Sequence, residues 1–92
     1  VLLALDIGNT NTTIGLFDGP HLLADFRLRS VRDRTADEYG AQIAGLLGAR
    51  GLTLQQVHAV AMAYVVPPVG SALRELSRKY FDVEPLMITA LT

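Results

Sequence analysis

The sequence predicts an α/β fold: a mixed five-stranded sheet with chain order βββαβαβ and helices on its faces. Three observations predict it. Two continuous apolar runs, residues 1–5 and 57–66, read as strands, the first of them buried on both faces. Residues 21–29 alternate, with Leu22, Ala24, Phe26 and Leu28 set against Leu23, Asp25, Arg27 and Arg29, as in a half-buried antiparallel strand. Two later stretches carry apolar residues at helical spacing: Tyr39, Ile43, Leu46 and Leu47, then Val69, Leu73, Leu76 and Tyr80.

The first strand ends at Asp6, and Gly8-Asn9-Thr10-Asn11 follows as turn chemistry, because Gly and Asn tolerate positive φ and Thr offers a local hydroxyl. Residues 12–17 are rich in β-branched side chains and read as the second strand. Asp18-Gly19-Pro20 turns the chain into the third, so the first three strands form a meander. A polar link, Ser30 to Arg34, leads to Thr35 and Glu38, which fit a helix-starting capping box. Gly51 is placed to stop that helix, and Thr53 to Gln56 to form a short helical turn. Pro67-Pro68 ends the fourth strand and starts the second helix, where proline is tolerated in the first turn. Glu84-Pro85 then turns the chain into a fifth strand beginning at Leu86-Met87-Ile88.

The 92 residues suffice for one domain, 50% apolar and 18% charged, which is enough to bury a core. The net charge of -1 gives no basic excess for nucleic acid or an anionic membrane. No cysteine is present, which excludes disulfides and thiolate metal sites and suits a cytoplasmic protein. No apolar run approaches the roughly 20 residues needed to span a bilayer, and Asp6 interrupts the opening run in a way unlike a signal peptide.

The chemistry concentrates in the first turn. Asp6 stands where a buried strand emerges, placed to reach a Mg²⁺ that is otherwise held by phosphate oxygens and water. Gly8, lacking a Cβ, lets the backbone approach a ligand closely. Successive main-chain N–H groups in a tight turn form an anion-binding concavity. Asn9, Thr10, Asn11, Thr12 and Thr13 add neutral donors, suited to phosphate oxygens already neutralised by a metal. No lysine follows, so the loop is not of the Walker type. The expected nucleotide phosphate-binding set is therefore Asp6, Gly8, Asn9, Thr10, Asn11, Thr12 and Thr13, with Asp6 also at the metal. A plain hairpin turn is the competing reading, and the run of donors directly after an acidic strand end favours phosphate.

Asp6 to Thr12, followed by Ile14-Gly15-Leu16-Phe17-Asp18-Gly19, resembles the amino terminus of the type III pantothenate kinases. These belong to the sugar kinase, Hsp70 and actin superfamily. Arg34 to Gly40 resembles the stretch opening the family's first helix, and Val65-Val66-Pro67-Pro68, with Leu73 and Lys79-Tyr80-Phe81 after it, its second strand–helix junction. The resemblance implies a ribonuclease H-like sheet, the first half of an actin-like ATPase fold. It implies ATP-dependent phosphorylation of pantothenate to 4′-phosphopantothenate, the first step of coenzyme A biosynthesis. It also implies Mg²⁺, a monovalent cation (K⁺ or NH4⁺) and a homodimer. Ala63 and Tyr64 depart from the small hydroxyl residues usual before Val-Val-Pro-Pro. The family's Gly-Ala-Asp-Arg segment, which carries the catalytic base, does not occur within residues 1–92. The resemblance therefore implies no catalytic residue between Val1 and Thr92, with the base expected beyond Thr92. Residues 1–92 are thus expected to be an amino-terminal phosphate-binding domain, inactive alone and exposing apolar surface where a second domain or subunit docks.

Other residues have ordinary structural readings. His21 and His58 lie near strand starts, far apart in sequence. Arg27, Arg29, Arg32 and Arg34 read as a solvated strand end balanced by Asp25, Asp33, Asp37 and Glu38, with Arg34 facing the cleft or a partner as the lesser alternative. Two functional alternatives stand beside the kinase: a non-catalytic nucleotide-binding regulatory homologue of the accessory-factor type, and an actin-like or Hsp70-like assembly domain.

Overall fold

A computed structural model describes the backbone of residues 1–64 and 67–88. The fourth-strand residues Val65 and Val66 lie outside the described residues, as do residues 89–92, Thr92 among them. The expectation of a catalytic base beyond Thr92 likewise falls outside the described residues. The strands are β1 (Leu2–Ile7), β2 (Asn11–Asp18), β3 (His21–Arg29), β4 (Ala59–Tyr64) and β5 (Leu86–Met87), and the helices are α1 (Ala36–Gly48) and α2 (Pro67–Leu76). The chain order βββαβαβ is as expected, with a 3₁₀ turn at Leu54–Gln56 and a π turn at Ser77–Phe81 extending α2. No helix among the described residues is long and apolar enough to cross a membrane.

The five strands form one sheet in the order β3-β2-β1-β4-β5. β1 pairs antiparallel with β2, and β2 with β3, whereas β1–β4 and β4–β5 are parallel. The two helical crossovers, β3 to β4 through α1 and β4 to β5 through α2, join parallel strands and progress in the same direction across the sheet. Right-handed crossovers therefore place both connecting helices on the same face. One core results: Leu3, Leu5, Ile7, Ile14, Leu16 and Met62 from the sheet pack with Tyr39, Ile43, Leu47, Val69, Leu73 and Leu76 from the helices. The expectation of helices on both faces is corrected. So is that of a first strand buried on both faces: Leu2 and Ala4 are only half-buried and Asp6 is exposed.

The α1 start is as the sequence predicts. Thr35 Oγ1 accepts from the Glu38 N–H at 3.1 Å, and Glu38 Oε1 accepts from the Thr35 N–H at 2.9 Å. Such a cap contributes about 1 kcal/mol, and the Thr35 bonds hold the Glu38 carboxyl below its ordinary pKa. At the other end the Leu52 N–H donates to the Leu47 carbonyl and the Gly51 N–H to that of Gly48. Gly51 takes φ +73°, the left-handed conformation this helix stop requires. The helices meet closely at Gly40, where a Cβ would come within 3.1 Å of both Leu76 Cδ1 and Tyr80 Cε2.

Two details differ from the sequence reading. The third strand carries a bulge: Leu16 pairs with Ala24 but Phe17 with Leu22, so Leu23 is the extra residue. Leu22 is thereby moved off the Ala24-Phe26-Leu28 side and lies near Gly15 and Phe17 on the opposite face, 53% exposed. Tyr80 does not share the buried stripe of α2. The π turn carries it outward, and its hydroxyl donates to Asp37 at 2.5 Å.

Candidate phosphate-binding site

Both strands extend further into the first turn than the sequence suggests. Asp6 and Ile7 belong to β1, Asn11 and Thr12 to β2, and only Gly8, Asn9 and Thr10 remain between them. The Gly8 N–H donates to the Asn11 carbonyl at 2.9 Å and closes the turn. Gly8 does not adopt positive φ. Its lack of a Cβ matters for packing, since a Cβ there would sit 3.1 Å from that same carbonyl. Among the described residues the N–H groups of Asn9 and Thr10 have no hydrogen-bond partner, leaving two adjacent donors at the tip.

Strand alternation sorts the candidate residues. Asp6 is paired with Thr13 across β1–β2, so both side chains leave the sheet on its open face, and both are exposed. Asn9, Thr10 and Asn11 are exposed at the tip. Thr12 points the other way and is buried, and its hydroxyl shares a 2.9 Å hydrogen bond with Ser30. Ser30 also donates its N–H to the Thr10 carbonyl at 2.8 Å. The Thr12 hydroxyl therefore braces the turn against the link after β3, and the candidate side chains left facing outward are those of Asp6 and Thr13 together with the tip.

The open face forms a concavity of about 350 Å³ whose lining includes Ala4, Asp6, Thr13, Gly15, Phe17 and Leu22. It is graded. Asp6 and Thr13 mark the end beside the turn, and Phe17 and Leu22 mark the other. Small residues at Ala4, Gly15 and Ala63 keep its floor low.

A metal can be tested against this donor set. The described residues bring together no group of three or more His, Cys, Asp or Glu side chains, so they form no all-protein cage. A single exposed carboxylate beside a phosphate site suits Mg²⁺, which takes one or two carboxylates and fills its other positions with phosphate oxygens and water. His21 and His58 are both exposed, at the head of β3 and just before β4. Arg34 does not face the cleft: its Nη1 donates to the Arg29 carbonyl at 3.1 Å, and its guanidinium lies 4.8 Å from the centre of the Tyr39 ring. The buried Tyr39 hydroxyl in turn accepts from the Val31 N–H and donates to the Val31 carbonyl.

The sheet and its two one-sided crossovers have the fold of the sugar-kinase and actin-like ATPase class. The ROK hexokinase from Thermus thermophilus superposes with a TM-score of 0.62 over 96% of this chain and 34% of its own, at 15% identity. The family model for type III pantothenate kinase matches residues 2–92, and the chain belongs to that family. It is 43% identical over 88 residues to a type III pantothenate kinase of Syntrophobacter fumaroxidans and 44% identical over 88 residues to one of Myxococcus xanthus. Each match covers 96% of this chain and 34% of the relative, so the chain spans about a third of their length.

Proposed function

We propose that this chain is the phosphate-binding wall of a kinase that transfers the γ-phosphoryl group of ATP to pantothenate, giving 4′-phosphopantothenate for coenzyme A synthesis. The observation that carries the reading is the pairing of Asp6 with Thr13 on the open face, beside a turn with two free N–H donors, in a chain of this family. Asp6 would hold Mg²⁺ together with phosphate oxygens, and the ion would neutralise phosphate charge. The Asn9 and Thr10 N–H groups, the Thr13 hydroxyl and the amides of Asn9 and Asn11 would orient the phosphate chain, with Gly8 keeping the turn tight and Thr12 bracing it. Donors fixed in advance by the sheet stabilise charge that shifts during transfer without reorganising.

The same reading places the substrate base and the adenine pocket in a second domain beyond Thr92, so residues 1–92 alone lack the differential binding that catalysis needs. It also includes a monovalent cation, a homodimer and a cytoplasmic location, supported by the family resemblance. The test is a pantothenate phosphorylation assay on the complete protein, with Mg²⁺ and K⁺ each omitted in turn. Turnover that needs both is expected. Nucleotide binding without transfer to pantothenate would overturn the kinase reading in favour of a regulatory homologue, and ATP-dependent filaments without transfer would favour an assembly protein.

A further inference from the structure

The phosphate site as built from the turn has no cationic side chain, yet the register of the sheet supplies one. Thr13 is paired with Asp6 on one side and with Arg27 on the other. Directly opposed residues share a face, so Asp6, Thr13 and Arg27 form one row across β1, β2 and β3 on the open face. At the usual strand spacing the outer two are about 10 Å apart along the sheet. A metal-bound phosphate chain above Thr13 would lie between them, within reach of an arginine side chain. The next row toward the other end, formed by Ala4, Gly15 and Asp25, holds no cation.

Arg27 is exposed, and among the described residues it takes part in no ion pair, side-chain hydrogen bond or ring contact. Arg29 and Arg32 are likewise without a side-chain partner among the described residues, but Arg29 pairs with Asn11 across β2–β3 and Arg32 lies in the link after β3, whereas Arg34, Arg50 and Arg78 are occupied. Arg34 is held by the Arg29 carbonyl and Tyr39, Arg50 lies over the Phe26 ring, and Arg78 pairs with Glu84 at 2.6 Å. Of the uncommitted arginines, Arg27 is the one whose register places it in the row of Asp6 and Thr13. Guanidinium offers forked N–H donors that match phosphate oxygens and stays charged at any working pH.

We propose that Arg27 is a phosphate-binding residue, reaching from β3 over Thr13 to the polyphosphate of the bound nucleoside triphosphate and supplying the positive charge that a lysine supplies in other phosphate loops. The assignment rests on the proposed phosphate site at Asp6 and the turn, but it does not depend on which acceptor is phosphorylated.

Arg27→Gln, Arg27→Lys and the exposed link variant Arg32→Gln should be compared in the complete protein. The readouts are calorimetric binding of ATP with Mg²⁺ and steady-state kinetics. Arg27→Gln is expected to weaken ATP binding roughly 10-fold or more, in line with a lost charge-assisted bond, and to raise KM for ATP while leaving KM for pantothenate unchanged. Arg27→Lys should recover part of the loss, and Arg32→Gln should match the wild type. An unchanged ATP affinity in a folded Arg27→Gln protein would overturn the assignment, as would an equal loss in Arg32→Gln. If the wild type binds ATP but does not phosphorylate pantothenate, the kinase reading fails while the calorimetric comparison still decides the role of Arg27.

Discussion

The two faces of the sheet are made from alternate residues of the same strands, and they have opposite fates. On one face Leu3, Leu5, Ile7, Ile14, Leu16 and Met62 are almost wholly buried under α1 and α2. On the other, Leu2, Ala4 and Asp6 alternate with them along β1, and Thr13, Gly15 and Phe17 along β2, with no helix above them among the described residues. The covered face holds strands that cannot shift register without burying Asp6 and Thr13. On the open face the same fixed register sets Asp6, Thr13 and Arg27 in one exposed row. Core packing and the proposed ligand contacts are thus separated by a one-residue step along the chain.

Ile14 and Thr13 are adjacent in β2 and test that separation directly. In the complete protein Ile14→Ala should cost roughly 2–5 kcal/mol by removing a fully buried side chain. Ile14→Val should cost about 0.5–1.5 kcal/mol and stay folded; denaturant titration measures both. Thr13→Ala should leave stability within about 0.5 kcal/mol but weaken ATP binding several-fold, as read by calorimetry. Equal stability losses at the two positions would erase the distinction between the faces.

The smallest expected effect lies away from both faces, where α1 meets the end of α2. The hydroxyl of Tyr80 and the ammonium of Lys79, 2.9 Å away, hold the Asp37 carboxyl below its ordinary pKa. A depressed folded-state pKa adds stability above the unfolded value, and the gain is lost as pH falls through the folded value. The exposed cluster is screened by solvent. Asp37→Asn should therefore lower the melting temperature slightly at neutral pH, and its curve should merge with that of the wild type on acidification below the ordinary carboxylate range. A gap that persists in strong acid would mean that the contact does not act through charge.

Most of the fold was legible in the sequence because local rules coincide with the tertiary arrangement. The Thr35–Glu38 box, the Gly51 stop and the apolar spacing of α1 each report one local requirement, and each is met. The one-sided placement of the helices was missed because it depends on the direction in which the crossovers progress across the sheet, which needs the strand order. Leu22 was misplaced because a bulge changes face parity without a marker residue such as Gly. Within the candidate site, Asp6 and the tip residues announce themselves by type. The inward turn of Thr12 was readable in principle from alternation against Thr13, whereas its partner Ser30 was not, being 18 residues away. Alternation along β3 puts Arg27 on its polar side. Only the pairing Asp6–Thr13–Arg27 shows which polar row it joins.

The central claim is that the open-face end of β1 holds a metal-bound phosphate, and Asp6 carries it. Its carboxylate is exposed, so replacing it removes no packing. The direct measurement is pantothenate phosphorylation by the complete protein carrying Asp6→Ala, with the melting temperature recorded alongside. Turnover should fall about 100-fold or more, the scale of losing a principal charge-stabilising group, while the melting temperature stays at the wild-type value. Near-normal turnover in the folded variant would contradict the claim.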